Sequence, residues 1–272
     1  MPENCYNVTM VLLPVFIFIL GLIIGSFLNV VILRMNTGRS VATGRSSCAR
    51  CNTTLSWYEL IPVFSFLGLR GKCKNCKKQI SFQYPLVELI TAIIFTILYT
   101  MVIATHGVGV AALLVFLFSA TVASLLIVIF VYDIRHNIIP DTMVYLFIVL
   151  SLISIVWSAF TIPGFQIGTA VVAGVAVALP FFLLWYFSKG AMMGFGDVKL
   201  ALGIGWLLGL VGGYSVILFA FWIGAIVGLF LLGLSRKYSM QSQIPFAPFL
   251  ITATLIVGVW GVTVLSLFQL WQ

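Results

Sequence analysis

The feature that most constrains this chain is the recurrence of apolar stretches, nearly all long enough to cross a ~30 Å hydrocarbon core. They fall at approximately 11–33, 83–104, 109–131, 143–161, 168–187, 198–212, 214–234 and 248–268. Lipid offers no partner to backbone N–H and C=O groups, so such stretches fold as helices. The expected fold class is an all-α polytopic membrane protein with about eight transmembrane helices. Composition excludes a soluble globule: 62% of the 272 residues are hydrophobic and 7% charged, against roughly a quarter charged in soluble domains. The sixth stretch is short and glycine-rich, which leaves open a tilted or partly re-entrant segment. The first stretch reads as a retained helix: Glu3 precedes it, no Lys or Arg does, and its apolar run is longer than that of a cleavable signal.

Basic residues set the expected orientation. Nine of the 14 (Arg34, Arg39, Arg45, Arg50, Arg70, Lys72, Lys74, Lys77 and Lys78) lie between the first two stretches. With the N-terminus outside, Arg135, Lys189, Lys199, Arg236 and Lys237 also fall on the cytoplasmic side, so both termini are expected outside. The net charge of +8 then reports topology first and contact with the anionic lipid bilayer second. It requires no nucleic-acid partner.

Three regions follow: a first transmembrane helix (1–33), a small cytoplasmic zinc-binding domain (34–82) and a multi-helix membrane domain (83–272). No internal repeat or low-complexity tract is apparent. The middle region is too small to bury a strong core and needs a staple such as a metal. It holds four of the five cysteines, as Cys48-Ala-Arg-Cys51 and Cys73-Lys-Asn-Cys76. Each knuckle aims two thiolates at one point, and two knuckles complete a tetrahedron around Zn²⁺. Structural disulfides rarely persist on the reducing side. A thioredoxin-like redox pair lacks its strand-then-helix context. Four unmetallated thiols are the other alternative. Four thiolates close the coordination sphere, so the zinc is expected to serve folding. Cys5 stands apart as a bystander.

The chain has six acidic residues: Glu3, Glu59, Glu88, Asp133, Asp141 and Asp197. Asp133 follows the run Leu125–Tyr132 at the cytoplasmic end of the third span, and Asp197 follows Gly194-Phe195-Gly196 at the cytoplasmic start of the sixth. Ionisable groups at membrane depth are costly and mark functional sites by default. Two carboxylates brought together cannot both ionise easily and so share one proton. One can then take a proton from an attacking water while the other hydrogen-bonds the substrate carbonyl, which is aspartic protease chemistry. A Gly194-x-Gly196 turn lets backbone approach Asp197 closely. The plainer alternative has Asp197 capping its helix and Asp133 paired with Arg135. Asp141 follows Pro140 and reads as a helix cap. His136 and His106 read as loop residues. Glu88 reads as a structural partner within the second span, with contact to substrate or a basic residue as alternatives. Asn29, Gly21-xxx-Gly25 and Gly224-xxx-Gly228 read as helix-packing positions.

These residues together resemble the type IV prepilin peptidases, bifunctional leader peptidases and N-methyltransferases. The similarity rests on Gly25-Ser-Phe-Leu-Asn-Val30, the two CxxC pairs, Ile61-Pro-Val63, Leu69-Arg-Gly-Lys-Cys73, Tyr84-Pro-Leu-Val-Glu-Leu89, Asp133-Ile-Arg-His-Asn-Ile-Ile-Pro-Asp141 and Gly194-Phe-Gly-Asp197. One departure is Ala49, where many members carry proline. The resemblance implies a bacterial inner-membrane enzyme with Asp133 and Asp197 as catalytic residues. Its substrates would be prepilin or pseudopilin precursors, cleaved after a glycine at the cytoplasmic face. It also implies N-methylation of the new terminus from S-adenosylmethionine, although the sequence shows no glycine-rich cofactor fingerprint. The rival reading from another class is an ion- or proton-coupled transporter with the two aspartates as carrier sites. It expects carboxylates near mid-bilayer and repeated halves.

Overall fold

The computed structural model describes residues 3–38, 40–41, 43–48, 50–234 and 244–269. The basic residues Arg39, Arg236 and Lys237, together with Ala49 and the side chains of Glu3 and Cys5, lie outside the described residues. Helices dominate: α1 (Glu3–Arg34), α2 (Phe64–Gly68), α3 (Gln83–His106), α4 (Val110–His136), α5 (Asp141–Thr161), α6 (Ile167–Ser188), α7 (Phe195–Leu234), α8 (Ala247–Trp260) and α9 (Val264–Gln269). Six of them, α1 and α3 to α7, are long and apolar enough to cross a membrane. The chain divides into two compact units, Met1–Val128 and Ile129–Gln272.

In the first unit α1 packs along α3 through small residues. A Cβ on Gly21 would lie 2.5 Å from the Ala92 Cα, and one on Gly25 would lie 2.7 Å from the Glu88 Cα. Helix association in lipid is driven by close packing and polar contacts, which these glycines permit. Buried Asn29 adds the polar contact, donating to the Tyr84 carbonyl at 3.1 Å and accepting from Gln83 Nε2 at 3.3 Å. Farther along α3, the rings of Phe95 and Tyr99 meet Phe116 of α4 edge-on, at 6.2 and 5.8 Å.

In the second unit α7 packs against α5, α6 and α8. The sixth and seventh expected stretches are both contained in α7, whose 40 residues would extend about 60 Å if straight, twice a bilayer core. Gly209 interrupts it with φ 71° and ψ −174°, a conformation open chiefly to glycine. Before it, Phe195 meets Trp185 and Trp206 Nε1 bonds the Val171 carbonyl, so the first arm runs antiparallel to α6. After it, the Tyr214 hydroxyl bonds the Ala176 carbonyl. A Cβ on Gly205 or Gly213 would meet the Val177 side chain, at 2.9 and 2.5 Å respectively. Those two glycines would stand about 12 Å apart on a straight helix, so the chain doubles back at Gly209. The expected 248–268 stretch is shorter in the structure: α8 has 14 residues and stops at Gly261, whose φ is 63°.

Gly174 and Gly205 bring the α6 and α7 backbones together: a Cβ on Gly205 would lie 2.7 Å from the Gly174 Cα. Trp206 covers Gly174 so closely that any side chain there would strike its indole. Of the Gly224-xxx-Gly228 pair, Gly224 meets the Phe249 ring, while a Cβ on Gly228 would meet nothing within 4 Å among the described residues.

Candidate active site

Asp133 lies in the last turn of α4 and Asp197 in the first turn of α7, both within the second unit. Both are buried, at 4% and 8% exposure. They act on each other electrostatically. Among the described residues Asp197 Oδ1 is buried with no hydrogen-bond partner. A buried, unpaired carboxylate oxygen is costly, and function is one explanation for its retention. The structure does not favour the plainer alternative: Asp197 sits inside the first turn with an unpartnered oxygen, and among the described residues no ion pair joins Asp133 to Arg135.

The two segments carrying these carboxylates are docked by other residues. A Cβ on Gly196 would lie 2.9, 3.2 and 3.3 Å from three atoms of Ile139, in the loop after α4. Gly196 therefore serves helix-to-loop packing; the sequence offers backbone approach to Asp197, from a substrate strand or an opposing helix, and the neighbour seen is the Ile139 side chain. Gly194 fits the open role better: among the described residues a Cβ there would meet nothing nearer than Asp197 Oδ2 and the Gly196 N, both at 3.9 Å. Asp141 departs from the expected cap. Pro140 occupies the N-cap and Asp141 is the first helical residue. There the helix dipole still favours a carboxylate, and its side chain pairs with Lys199 of α7. The Lys199 ammonium also sits over the rings of Tyr145 and Phe195, at 5.0 and 5.7 Å. In the sequence Lys199 bears only on orientation; its place two residues after Asp197 is the signal for a role near the site. His136 ends α4 with its ring 4.4 Å from that of Tyr132, and His106 ends α3.

In the first unit the four cysteines converge, with their sulfurs within 4.8 Å of one another and Cys48 and Cys76 at 4.0 Å. Zn–S bonds of about 2.3 Å would place tetrahedral sulfurs about 3.8 Å apart, so the set could hold a metal ion. The two knuckles are copies of one turn. Cys48 and Cys73 donate N–H to Thr53 and Lys78 carbonyls at 3.0 and 2.9 Å and accept from Asn52 and Lys77 at 2.9 and 3.0 Å. Isolated bridges Ser47–Thr54 and Lys72–Gln79 close them. This short repeat went unseen in the sequence because only the cysteines are shared strongly between the copies.

The Thr53 hydroxyl and N–H lower the Cys51 thiol to about 6. Backbone N–H groups of Cys76 and Asn75 likewise lower Cys73. Cys76 is pushed up to about 11: the Lys78 N–H lowers it, but burial and the three neighbouring sulfurs prevail. Four thiolates so close repel unless a cation sits among them.

Glu88 pairs with backbone, its Oε2 accepting the Val63 N–H at 2.7 Å, and among the described residues no basic side chain pairs with it.

The sequence profile of the bacterial peptidase A24 N-terminal domain matches residues 19–102, and that of the type IV leader peptidase family matches 120–229. A Bacillus subtilis protein is 31% identical over 252 residues, covering 93% of this chain and 96% of its own length. The chain belongs to the type IV leader peptidase family. A Myxococcus xanthus relative is 35% identical over 244 residues, which cover 81% of this chain but 64% of that protein. A Pseudomonas aeruginosa relative is 30% identical, over 89% of each chain. All three are named prepilin leader peptidase/N-methyltransferase. No solved structure matches the chain. The leader peptidase match spans both buried aspartates, and the A24 N-terminal match spans all four clustered cysteines.

Proposed function

We propose that this protein is a membrane aspartic endopeptidase that removes the basic leader of prepilin or pseudopilin precursors, after glycine, and N-methylates the new terminus. The observation that carries the reading is the pair of buried, interacting carboxylates, Asp133 and Asp197, the second with an oxygen unpartnered among the described residues. The ionised carboxylate takes a proton from water as its oxygen attacks the scissile carbonyl. The protonated one hydrogen-bonds the carbonyl oxygen and then delivers a proton to the departing amine. The low-dielectric surroundings of both groups strengthen these interactions.

In this reading the chain crosses eight times: α1 once, the membrane domain seven times, the doubled α7 supplying two of those and α8 the last. Both termini lie outside, and the dyad lies at the cytoplasmic face of a bacterial inner membrane. Residues 34–82 form a cytoplasmic domain in which Cys48, Cys51, Cys73 and Cys76 hold a structural zinc, whose charge offsets the four thiolates. S-adenosylmethionine supplies the methyl group for the second activity; no residue of this chain is assigned to it. The transporter reading is set aside, because the carboxylates stand at helix ends and the relatives are peptidases by name.

The test is incubation of reconstituted enzyme with a model precursor, followed by mass measurement of the products. The expected mass places the cut after the leader glycine, with one added methyl when S-adenosylmethionine is present. Asp133→Asn and Asp197→Asn should insert normally and leave the precursor whole. Wild-type cleavage by either variant would remove the dyad.

A further inference from the structure

Glu88 holds more than a loop: it fixes the depth of one. It stands five residues into α3 from Gln83, about 7–8 Å along the helix. Its carboxylate binds the N–H of Val63, the residue that opens α2. The Phe66 ring of α2 meets Phe82, just before α3, at 5.1 Å. These contacts hold the segment Trp57–Leu67 level with the first turns of a membrane-spanning helix.

At that level the segment presents an apolar stripe. Trp57, Phe64 and Leu67 are 77%, 68% and 64% exposed, with Ile61 and Leu60 between them. Trp57 and Leu60 sit on a short 3-10 turn (Trp57–Leu60), Ile61 follows in extended conformation, and Phe64 and Leu67 sit one turn apart on α2. Such a contiguous patch facing water is unusual in a protein. Exposed Arg70, Lys72, Lys74, Lys77 and Lys78 follow directly, and Lys74 donates to the Tyr58 hydroxyl at 2.7 Å.

We propose that Trp57–Leu67 is an interfacial element, seated in the phospholipid leaflet that adjoins the cysteine domain. Apolar side chains at the acyl boundary, Trp and Tyr at headgroup level and flanking lysines are the composition of such elements. The basic run is complementary to anionic headgroups. Both ends of the cysteine-bearing region are membrane helices, so the segment is continuous with an established lipid contact.

The test uses full-length protein in phospholipid nanodiscs. A fluorescent amino acid replaces Phe64 or Leu67, one at a time, with Phe16 of α1 as the lipid-facing reference. Both sites are exposed, so the probe displaces no packing, and Trp57 offers a third position. Brominated acyl chains should quench probes at 64 and 67 to an extent comparable with 16, while aqueous iodide leaves them bright. Quenching by iodide and not by brominated lipid would place the stripe in water and overturn the proposal. Insensitivity to both quenchers, with 16 quenched by lipid, would show that protein covers it, which overturns the proposal equally.

Discussion

Replacing Gly196 by alanine tests whether helix-to-loop packing sets the geometry of the aspartate pair. The new Cβ would lie 2.9 Å from the Ile139 Cβ, with two more Ile139 atoms at 3.2 and 3.3 Å. Ordinary carbon contacts need about 3.5 Å or more, so the loop and the α7 turn must separate by about half an ångström. The loop follows Asp133 by a few residues and the turn carries Asp197, so the separation falls on the dyad. Misplacement of 1 Å costs about 10²-fold in rate, so a roughly 10- to 100-fold fall in kcat is expected, about 1.4 to 2.7 kcal/mol. KM should change little, because the loss lies in the relation of the two carboxylates. The assay is steady-state cleavage of a model precursor by reconstituted enzyme, with thermal unfolding measured alongside. Ile139→Ala removes two of the three close contacts and should restore part of the rate to the double variant. Gly194→Ala, whose Cβ meets nothing nearer than 3.9 Å, should cleave within a few-fold of wild type. Wild-type kcat for Gly196→Ala, or equal damage from Gly194→Ala, would refute the packing argument.

Cys48→Ser, or a strong chelator, should remove about one zinc ion per chain and expose residues 34–82 to limited proteolysis; full protection without metal would remove the zinc site. Asp141→Asn should keep substantial cleavage, because a partly exposed ion pair contributes about 0.2–1 kcal/mol. Loss of cleavage in a normally folded variant would place Asp141 in the machinery. Gly205→Val should destabilise the second unit, by about 1–3 kcal/mol or more since backbone must move, read as a lower unfolding temperature in detergent. An unchanged midpoint would mean that α6 and α7 do not depend on that close approach.

Features resting on residue type and repetition were legible in the sequence. Apolar length gave helices in place, and the CxxC spacing gave a sulfur cluster. Asp133 and Asp197 stood out because each adjoins an apolar run. What escaped depended on neighbours distant in the chain. Nothing local says that Gly196 abuts Ile139, or that Asp141, placed like a cap, instead meets Lys199 58 positions away. The Glu88 partner was hidden for a related reason: a carboxylate can satisfy itself on any backbone N–H, and composition searches only for basic side chains. The length of the last span was misjudged because Gly261 ends α8 inside a run that hydropathy alone continues.

In the eight-crossing reading proposed above, the reversal at Gly209 gives one backbone angle authority over everything that follows it. Each hairpin changes the parity of crossings, and parity decides the compartment of every later loop and of the C-terminus. A residue unable to hold a φ of 71° would do more than strain a turn. It would favour a straight rod, and a reporter fused beyond α8 would then answer from the opposite side of the membrane.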